Sequence, residues 1–204
     1  MPDSVYTIGH STHTLEKLIG LLQRHHVTAL ADVRSKPYSR MNPQFNREAL
    51  KSGLREAGLA YVFLGKELGA RTDNRECYCN GRVQYELLAK TEEFKSGIGR
   101  VKEGAKTHRI ALMCAEKDPL HCHRTILVSR HLVQEGLEVR HILADGRTEE
   151  HHEAMTRLAR VLKLQSDDMF RSRDELEDIA YRLQGQAIAY QESSDEHSQS
   201  VAHI

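Results

Sequence analysis

Residues 109–124, RIALMCAEKDPLHCHR, decide how the chain is read. Arg109 opens an apolar run through Met113 that has the length and residue types of a buried strand. The run ends at Cys114, and Asp118-Pro119 then reads as a helix start. An aspartate oxygen accepts the orphan amide protons of a first turn, and proline at the first helical position has no amide proton to waste. A strand that hands over to a helix across a short polar turn is half of a β–α–β unit.

The same alternation continues in both directions. Upstream, VYTIGH, VTALADVR and AYVFLG read as strands. Between them, Leu15, Leu18, Ile19 and Leu22 fall at helical spacing, and a helix is expected over 46–57, closed by Gly58. A helical region from about 82 to 106 follows the third strand. Downstream, the helix that starts at Asp118 is expected to run to Gly136. EVRHILA is then a fifth strand, and Met155, Leu158, Ala159 and Leu162 mark another helix. This predicts a single α/β domain over 1–165, an open three-layer α/β/α arrangement around a mostly parallel sheet of about five strands. An eightfold barrel needs more units than this length supplies.

Beyond Gln165 the pattern changes. Leu176, Ile179, Ala180, Leu183 and Ala187 place an extra helix in a C-terminal extension over 166–191. Its apolar stripe suits either a homodimer contact or packing on its own domain. Residues 192–204 are polar and expected to be a disordered tail. The sequence contains no internal repeat.

No stretch reaches the roughly 18 apolar residues of a membrane span. The first residues, MPDSVYTIGH, lack a signal-peptide pattern, so a cytoplasmic protein without membrane contact is expected. Cys77, Cys79, Cys114 and Cys122 are too few and too irregularly spaced for a disulfide scaffold. They read instead as free thiols, nucleophiles or metal ligands, or as small buried residues. The 29 bases and 29 acids divide unevenly: residues 166–204 hold nine acids and three bases, which leaves 26 bases against 20 acids before them. A body of charge +6 permits an anionic partner without requiring one.

In open α/β sheets, ligands sit at the carboxyl ends of the strands. Those ends carry His10 and Ser11, Asp32 and Arg34, Cys114 and Glu116, and His141 with Asp145 beyond it. The loop RSKPYSRMNPQFNR adds Arg34, Lys36, Arg40 and Arg47 with no acid, interleaved with Tyr38 and Phe45; a second loop adds Lys66, Arg71, Arg75 and Arg82. Such side chains match phosphate or carboxylate oxygens, and aromatic rings stack on bases. Cys122, His123 and Arg124 are expected in the first turns of the helix that follows Cys114. There the helix dipole and neighbouring cations favour a thiolate, and His121 or His123 can serve as its base. The stretch is not a cysteine-phosphatase loop, because the position six after Cys114 is Leu120 rather than arginine.

Zinc ligation uses the same atoms, drawing on Cys77, Cys79, Cys114, Cys122 and the flanking histidines. The spacing is not that of a paired zinc ribbon, so no residue is assigned as a metal ligand, and a divalent metal such as zinc stays open as a cofactor. Each candidate also has a plain structural role available. Cys114 can be a small buried residue, His10 a loop hydrogen bonder and His141 a core histidine. Asp32 and Arg34 can pair with each other, and Arg124 can clamp Glu116.

Taken in order, YTIGHST, LADVRSKPYSR, LGKELGAR, ALMCAEKDPLHCHR and VRHILADG resemble the domain of unknown function 488 family, from about Val5 to Gly146. The resemblance implies that Cys114 and Cys122 line an active site, with His10, Arg34, Glu116, His123 and Arg124 at other motif positions. It leaves the chemistry open.

The expectation is therefore an enzyme, a cysteine-dependent or metal-assisted hydrolase or transferase, acting on an anionic small molecule or nucleic-acid-related substrate. Cys114, Cys122, His123, Glu116 and His10 are its catalytic candidates; Ser11, Arg34, Tyr38, Arg40 and Arg124 are its substrate-binding candidates. The alternatives are a metal-binding or redox-sensing module and a nucleic-acid-binding accessory protein without catalysis.

Overall fold

The computed structural model describes residues 4–164 and 172–192. In chain order the first elements are β1 (Ser4–Gly9), α1 (Leu15–Arg24), β2 (Ala29–Asp32), α2 (Arg47–Glu56), β3 (Ala60–Phe63) and α3 (Gly65–Leu68). A small hairpin, β4 (Tyr78–Cys79) and β5 (Arg82–Val83), precedes α4 (Tyr85–Leu88) and α5 (Glu92–Ala105). Then come β6 (Ile110–Cys114), α6 (Arg130–Gln134), β7 (Glu138–Ile142), β8 (Thr148–Glu150), α7 (His151–Val161) and α8 (Arg173–Ile188). No helix among the described residues is long and apolar enough to cross a membrane.

The sheet has six strands in the order β3-β2-β6-β1-β7-β8, parallel except for the edge strand β8, which runs antiparallel to β7. This is the mixed α/β, three-layer architecture that the alternation predicts. The sixth strand follows a tight turn, in which Leu143 donates to Arg147 and Gly146 adopts φ 87°.

Side-chain alternation sorts β6 between two apolar layers. Ala111 and Met113 join Tyr6, Ile8, Leu18, Leu22, Leu30, Leu50 and Leu54 under α1 and α2. Ile110, Leu112 and Cys114 join Val5, Phe94, Leu127, Leu132, Val139 and Met155 on the other face. All five residues of β6 are buried, which is why the strand reads as a continuous apolar run.

β1 connects through α1 leftwards to β2, whereas β6 connects rightwards to β7 on the opposite face. The neighbours β1 and β6 therefore bracket the point where the winding reverses. In such sheets a crevice opens there, at the strand carboxyl ends.

Three expectations are corrected. The region 82–106 is not one helix: it is β5, α4 and α5, with α5 started afresh by Thr91, whose hydroxyl accepts from Phe94 N. The helix after Asp118 is interrupted, as described below. The stripe of α8 is rotated: Leu176, Ala180, Tyr181, Gln184 and Gly185 are buried while Leu183 is exposed.

That buried face packs on the chain's own domain. Gln184 Nε2 donates to Leu120 O at 2.8 Å, and Ala180 and Tyr181 belong to the same core as β6. Gln191 bridges Arg82, and Glu192 pairs with Arg75. The rest of the expected tail, 193–204, lies outside the described residues, as does 165–171.

Burial also explains an unbroken polar chain across the sheet. His141 on β7 contacts Thr7 Oγ1 through Nδ1 at 2.8 Å and His151 Nδ1 through Nε2 at 3.0 Å. His151 Nε2 then meets the Tyr181 hydroxyl at 2.6 Å. Burial holds His151 down at about 4 and His141 well below its usual range, so both rings are neutral in the folded chain. The unfolded chain takes up protons near pH 6.5, where the folded chain refuses them. Stability is therefore fully present above the unfolded value and is lost as pH falls from about 6.5 towards 4. Each histidine contributes a slope of at most about 1.4 kcal/mol per pH unit. Urea unfolding should show a midpoint that declines across this window, less steeply in His151→Gln. A midpoint indifferent to pH there would contradict the neutral pair.

Candidate functional site

The exits of β1 and β6 are stitched together. His10 N donates to Cys114 O, and Ser11 N to Ala115 O, both at 2.9 Å. Gly9 is required at this seam, since a Cβ there would overlap the Glu116 carbonyl. Ser11 then turns with φ 47°, a left-handed conformation that non-glycine residues seldom adopt.

The turn after Cys114 begins as the Asp-Pro step predicts, with the Asp118 carboxylate accepting from Leu120 N at 2.9 Å. It produces only a 3₁₀ turn over Pro119–His121. Cys122 returns to extended backbone, φ −137° and ψ 139°. A new helical segment starts at His123 and passes through a π turn, Arg124–Ser129, into α6. The Ser129 hydroxyl donates to Arg124 O at 2.7 Å, five residues back, which supports the widened turn.

Cys122 thus stands at the N-terminal boundary of that segment and not within a continuous helix. Its carbonyl accepts from Thr125 N and Ile126 N, and its sulfur accepts from Arg124 N at 3.5 Å. A sulfur in the N-cap position meets the positive end of the helix dipole.

Around it the other groups converge. Cys122 Sγ lies 2.9 Å from Glu116 Oε2 and 3.9 Å from His123 Nδ1, and Cys114 Sγ lies 3.7 Å from the same nitrogen. His123 Nε2 is 3.0 Å from Val33 O. A carbonyl only accepts, so Nε2 carries a proton, and Nδ1 is the ring nitrogen that faces the two sulfurs. Cys114, Cys122, His123 and Arg124 are all buried, while Glu116 is exposed except where its carboxylate tip turns in to the sulfur.

The two thiols are driven apart in acidity. The hydrogen bond with Cys122, then burial and the neighbouring negative charges, raise Cys114 well above the usual thiol range. For Cys122, burial works the other way, but the Cys114 hydrogen bond and the Arg124 and His123 charges outweigh it and push the thiol well down. Burial, then the Cys122 charge, raises Glu116. His123, which burial alone would lower, is raised by the Cys122 charge. Of the two thiols Cys122 is therefore the more readily ionised, beside a Cys114 that holds its proton more tightly and a carboxyl whose proton affinity is raised.

Arg124 is 1% exposed and donates to Glu116 O at 2.8 Å. It meets the backbone of the turn and not the Glu116 side chain. Its Nε has no hydrogen-bond partner, and it forms no ion pair among the described residues.

Arg34 is committed elsewhere. Its Nε and Nη2 grip Asp32 at 2.9 and 2.7 Å, Nη2 also donates to Phe45 O at 2.8 Å, and Nη1 donates to His10 Nε2 at 3.3 Å. Tyr61 donates to the same carboxylate at 2.9 Å. His10 stacks on Phe45 and donates from Nδ1 to Ser11 O, and burial holds it down at about 4. A neutral imidazole with both nitrogens engaged fixes the loop. Asp32 and Arg34 pair with each other, with Arg34 placed just past the end of β2 and not within the sheet.

Ser11 stands half-buried at the seam, and Tyr38 and Arg40 lie exposed on the 34–47 loop away from any bond to the sulfurs. Arg71 stacks on Tyr190, and Arg75 pairs with Glu192, so the second basic loop is largely occupied by the C-terminal segment. Cys77 is buried and Cys79 exposed, and neither joins the cluster formed by Cys114, Cys122 and His123. The four-cysteine zinc arrangement does not assemble. Tyr85 escaped the sequence reading. Burial, then the charges of Cys122, Cys114 and Glu116, raises its phenol, and its ring also lines a cavity of about 230 Å³ with Ile126, Arg130 and Tyr181. A lone tyrosine at the head of a short helix carries no signal of that placement.

Removing one partner of the buried Asp32–Arg34 pair should be costly. Arg34→Ala leaves a fully buried carboxylate held only by Tyr61 and a backbone amide, at a cost of about 3–5 kcal/mol. Chemical denaturation should show that loss, in contrast to Arg40→Ala on the exposed loop, whose midpoint should match the parent. An unchanged midpoint in Arg34→Ala would mean the pair contributes little to folding.

The family model described as Domain of unknown function DUF488 matches residues 14–131, which is more than half of the chain. No curated protein and no solved structure matches the chain. The match takes in Asp32, Arg34, Tyr61, Cys114, Glu116, Cys122, His123 and Arg124 and begins after His10 and Ser11, and the chain belongs to the DUF488 family.

Proposed function

We propose that the chain is an enzyme, a hydrolase or transferase, that uses the Cys122 thiolate on a small anionic substrate at the carboxyl edge of β1 and β6. The observation that carries this reading is the convergence on one sulfur of a helix-start amide, a buried guanidinium, an imidazole and a carboxyl. A thiolate, not a thiol, is the nucleophile, and such surroundings keep it ionised near neutral pH. Glu116 is the group with one end at the surface and the other against the sulfur, so it is suited to pass a proton to a leaving group. His123, tied to Val33 O, orients and balances the charge. The anionic substrate is supported by Lys36 and Arg40, exposed on the loop that leaves β2 at the same sheet edge.

Thiol labelling of the native, reduced, metal-free protein tests the reading. With a small neutral alkylating agent at neutral pH, peptide mapping should find Cys122 modified at least tenfold faster than the buried Cys77. Inorganic phosphate should slow that labelling in the parent and do so less in Arg40→Ala. If Cys79 is modified while Cys122 stays untouched, Cys122 is not the reactive centre.

A further inference from the structure

We propose that Cys114, Cys122 and His123 form a three-ligand binding site for one zinc-class divalent cation. The two sulfurs and the His123 nitrogen lie within 4.8 Å of one another. A tetrahedral ion bound at about 2.3 Å to sulfur and about 2.0 Å to nitrogen sets those donors about 3.5 Å apart. The distances from His123 Nδ1 are 3.7 Å to Cys114 Sγ and 3.9 Å to Cys122 Sγ, a few tenths of an ångström more than a bound ion sets between nitrogen and sulfur. Glu116, an exposed residue, sets its Oε2 2.9 Å from Cys122 Sγ at the edge of the cluster, and the fourth position of the ion is left to a ligand from solvent.

Two further features of this cluster suit a metal. The Nε2–H of His123 donates to Val33 O, which leaves the ligating Nδ1 lone pair aimed at the sulfurs; a backbone carbonyl in this outer position is the usual way a metal-binding histidine is oriented. The charges also close. Two thiolates and the Glu116 carboxylate carry three negative charges, and a divalent ion with Arg124 carries three positive ones. Arg124, sealed from water with no ion-pair partner among the described residues, then has its counter-charge. Two sulfurs and an imidazole select a borderline-soft ion over magnesium or calcium. Loading releases to solvent the proton on Cys114 and the one that Cys122 and Glu116 share.

The inference stands on this geometry and not on the catalytic proposal. Its test is a titration of the reduced, chelator-treated full chain with Co²⁺ alone. One equivalent should bind with the intense visible bands of a tetrahedral site and with sulfur-to-cobalt charge transfer in the near ultraviolet, and one equivalent of Zn²⁺ should abolish both. Cys114→Ser and His123→Ala should each weaken binding by at least the roughly 10–100-fold that loss of an outer-shell partner costs. Cys79→Ser should bind as the parent does.

The proposal falls if the parent takes up no Co²⁺ at millimolar concentration, if the spectrum is weak and octahedral, or if the double variant Cys114→Ser/Cys122→Ser binds undiminished. The parent's spectrum decides the matter even where a variant does not fold. Rapid labelling of metal-free Cys122 without Co²⁺ uptake would overturn this inference and leave the catalytic proposal standing. Tetrahedral Co²⁺ uptake by a protein whose metal-free Cys122 is inert would do the reverse.

Discussion

A guanidinium sealed inside the protein with no carboxylate partner among the described residues is the constraint on which the site depends. Arg124 is the largest fully buried side chain among the described residues, and its Nη1 and Nη2 donate to the carbonyls of Glu116 and Lys117. Taking an uncompensated cation out of water costs several kcal/mol unless other groups answer its charge. The nearest answer is Cys122, whose sulfur the Arg124 charge helps to hold ionised. The guanidinium thereby shapes the turn that ends β6 and lowers the proton affinity of the thiol beyond that turn. Gly9 follows from the same crowding, because its missing side chain makes room for the Glu116 carbonyl that Arg124 holds.

Two polar constellations sit side by side at the strand ends, and they differ in kind. Asp32, Arg34, His10 and Tyr61 form a closed network in which the carboxylate and guanidinium satisfy each other. Such a network specifies a loop geometry. Cys114, Cys122, His123 and Glu116 are left with a lone pair, a thiolate and a carboxyl that face one another. The Val33 carbonyl, between the two, fixes the His123 ring, so the rigid network braces the one with spare valence. The position of the pair at the reversal of winding follows from topology: β1 and β6 are the adjacent strands whose connections leave in opposite directions.

Much of this was legible in one dimension. Five strands announced themselves because helices cover both faces of a parallel sheet, which turns each strand into an apolar run. Gly58 and Gly136 close α2 and α6 with φ of 75° and 85°, conformations that favour glycine wherever they occur. Asp118-Pro119 began a turn as its local chemistry dictates. The candidate residues Cys114, Cys122, His123, Glu116 and Arg124 were visible as a cluster because a single β–α junction carries them all. What periodicity could not show was how the helix after that junction begins. The same spacing of apolar residues fits a continuous helix and one interrupted at Cys122, and the interruption is decided by where Arg124 and Ser129 find their partners.

By itself, then, the sequence determined the strand–helix alternation and the edge at which the polar residues collect. These depend on local propensity and on burial averaged over a face. Tertiary structure alone decided which polar groups meet. It gave Arg34 to Asp32, turned Arg124 to backbone carbonyls, set α8 on its own domain through Tyr181 and Gln184, and drew Tyr85 towards the thiols. The reason is physical: hydrogen bonds and charges act over a few ångströms in space, and residues that are tens of positions apart reach that range only after the apolar layers have closed.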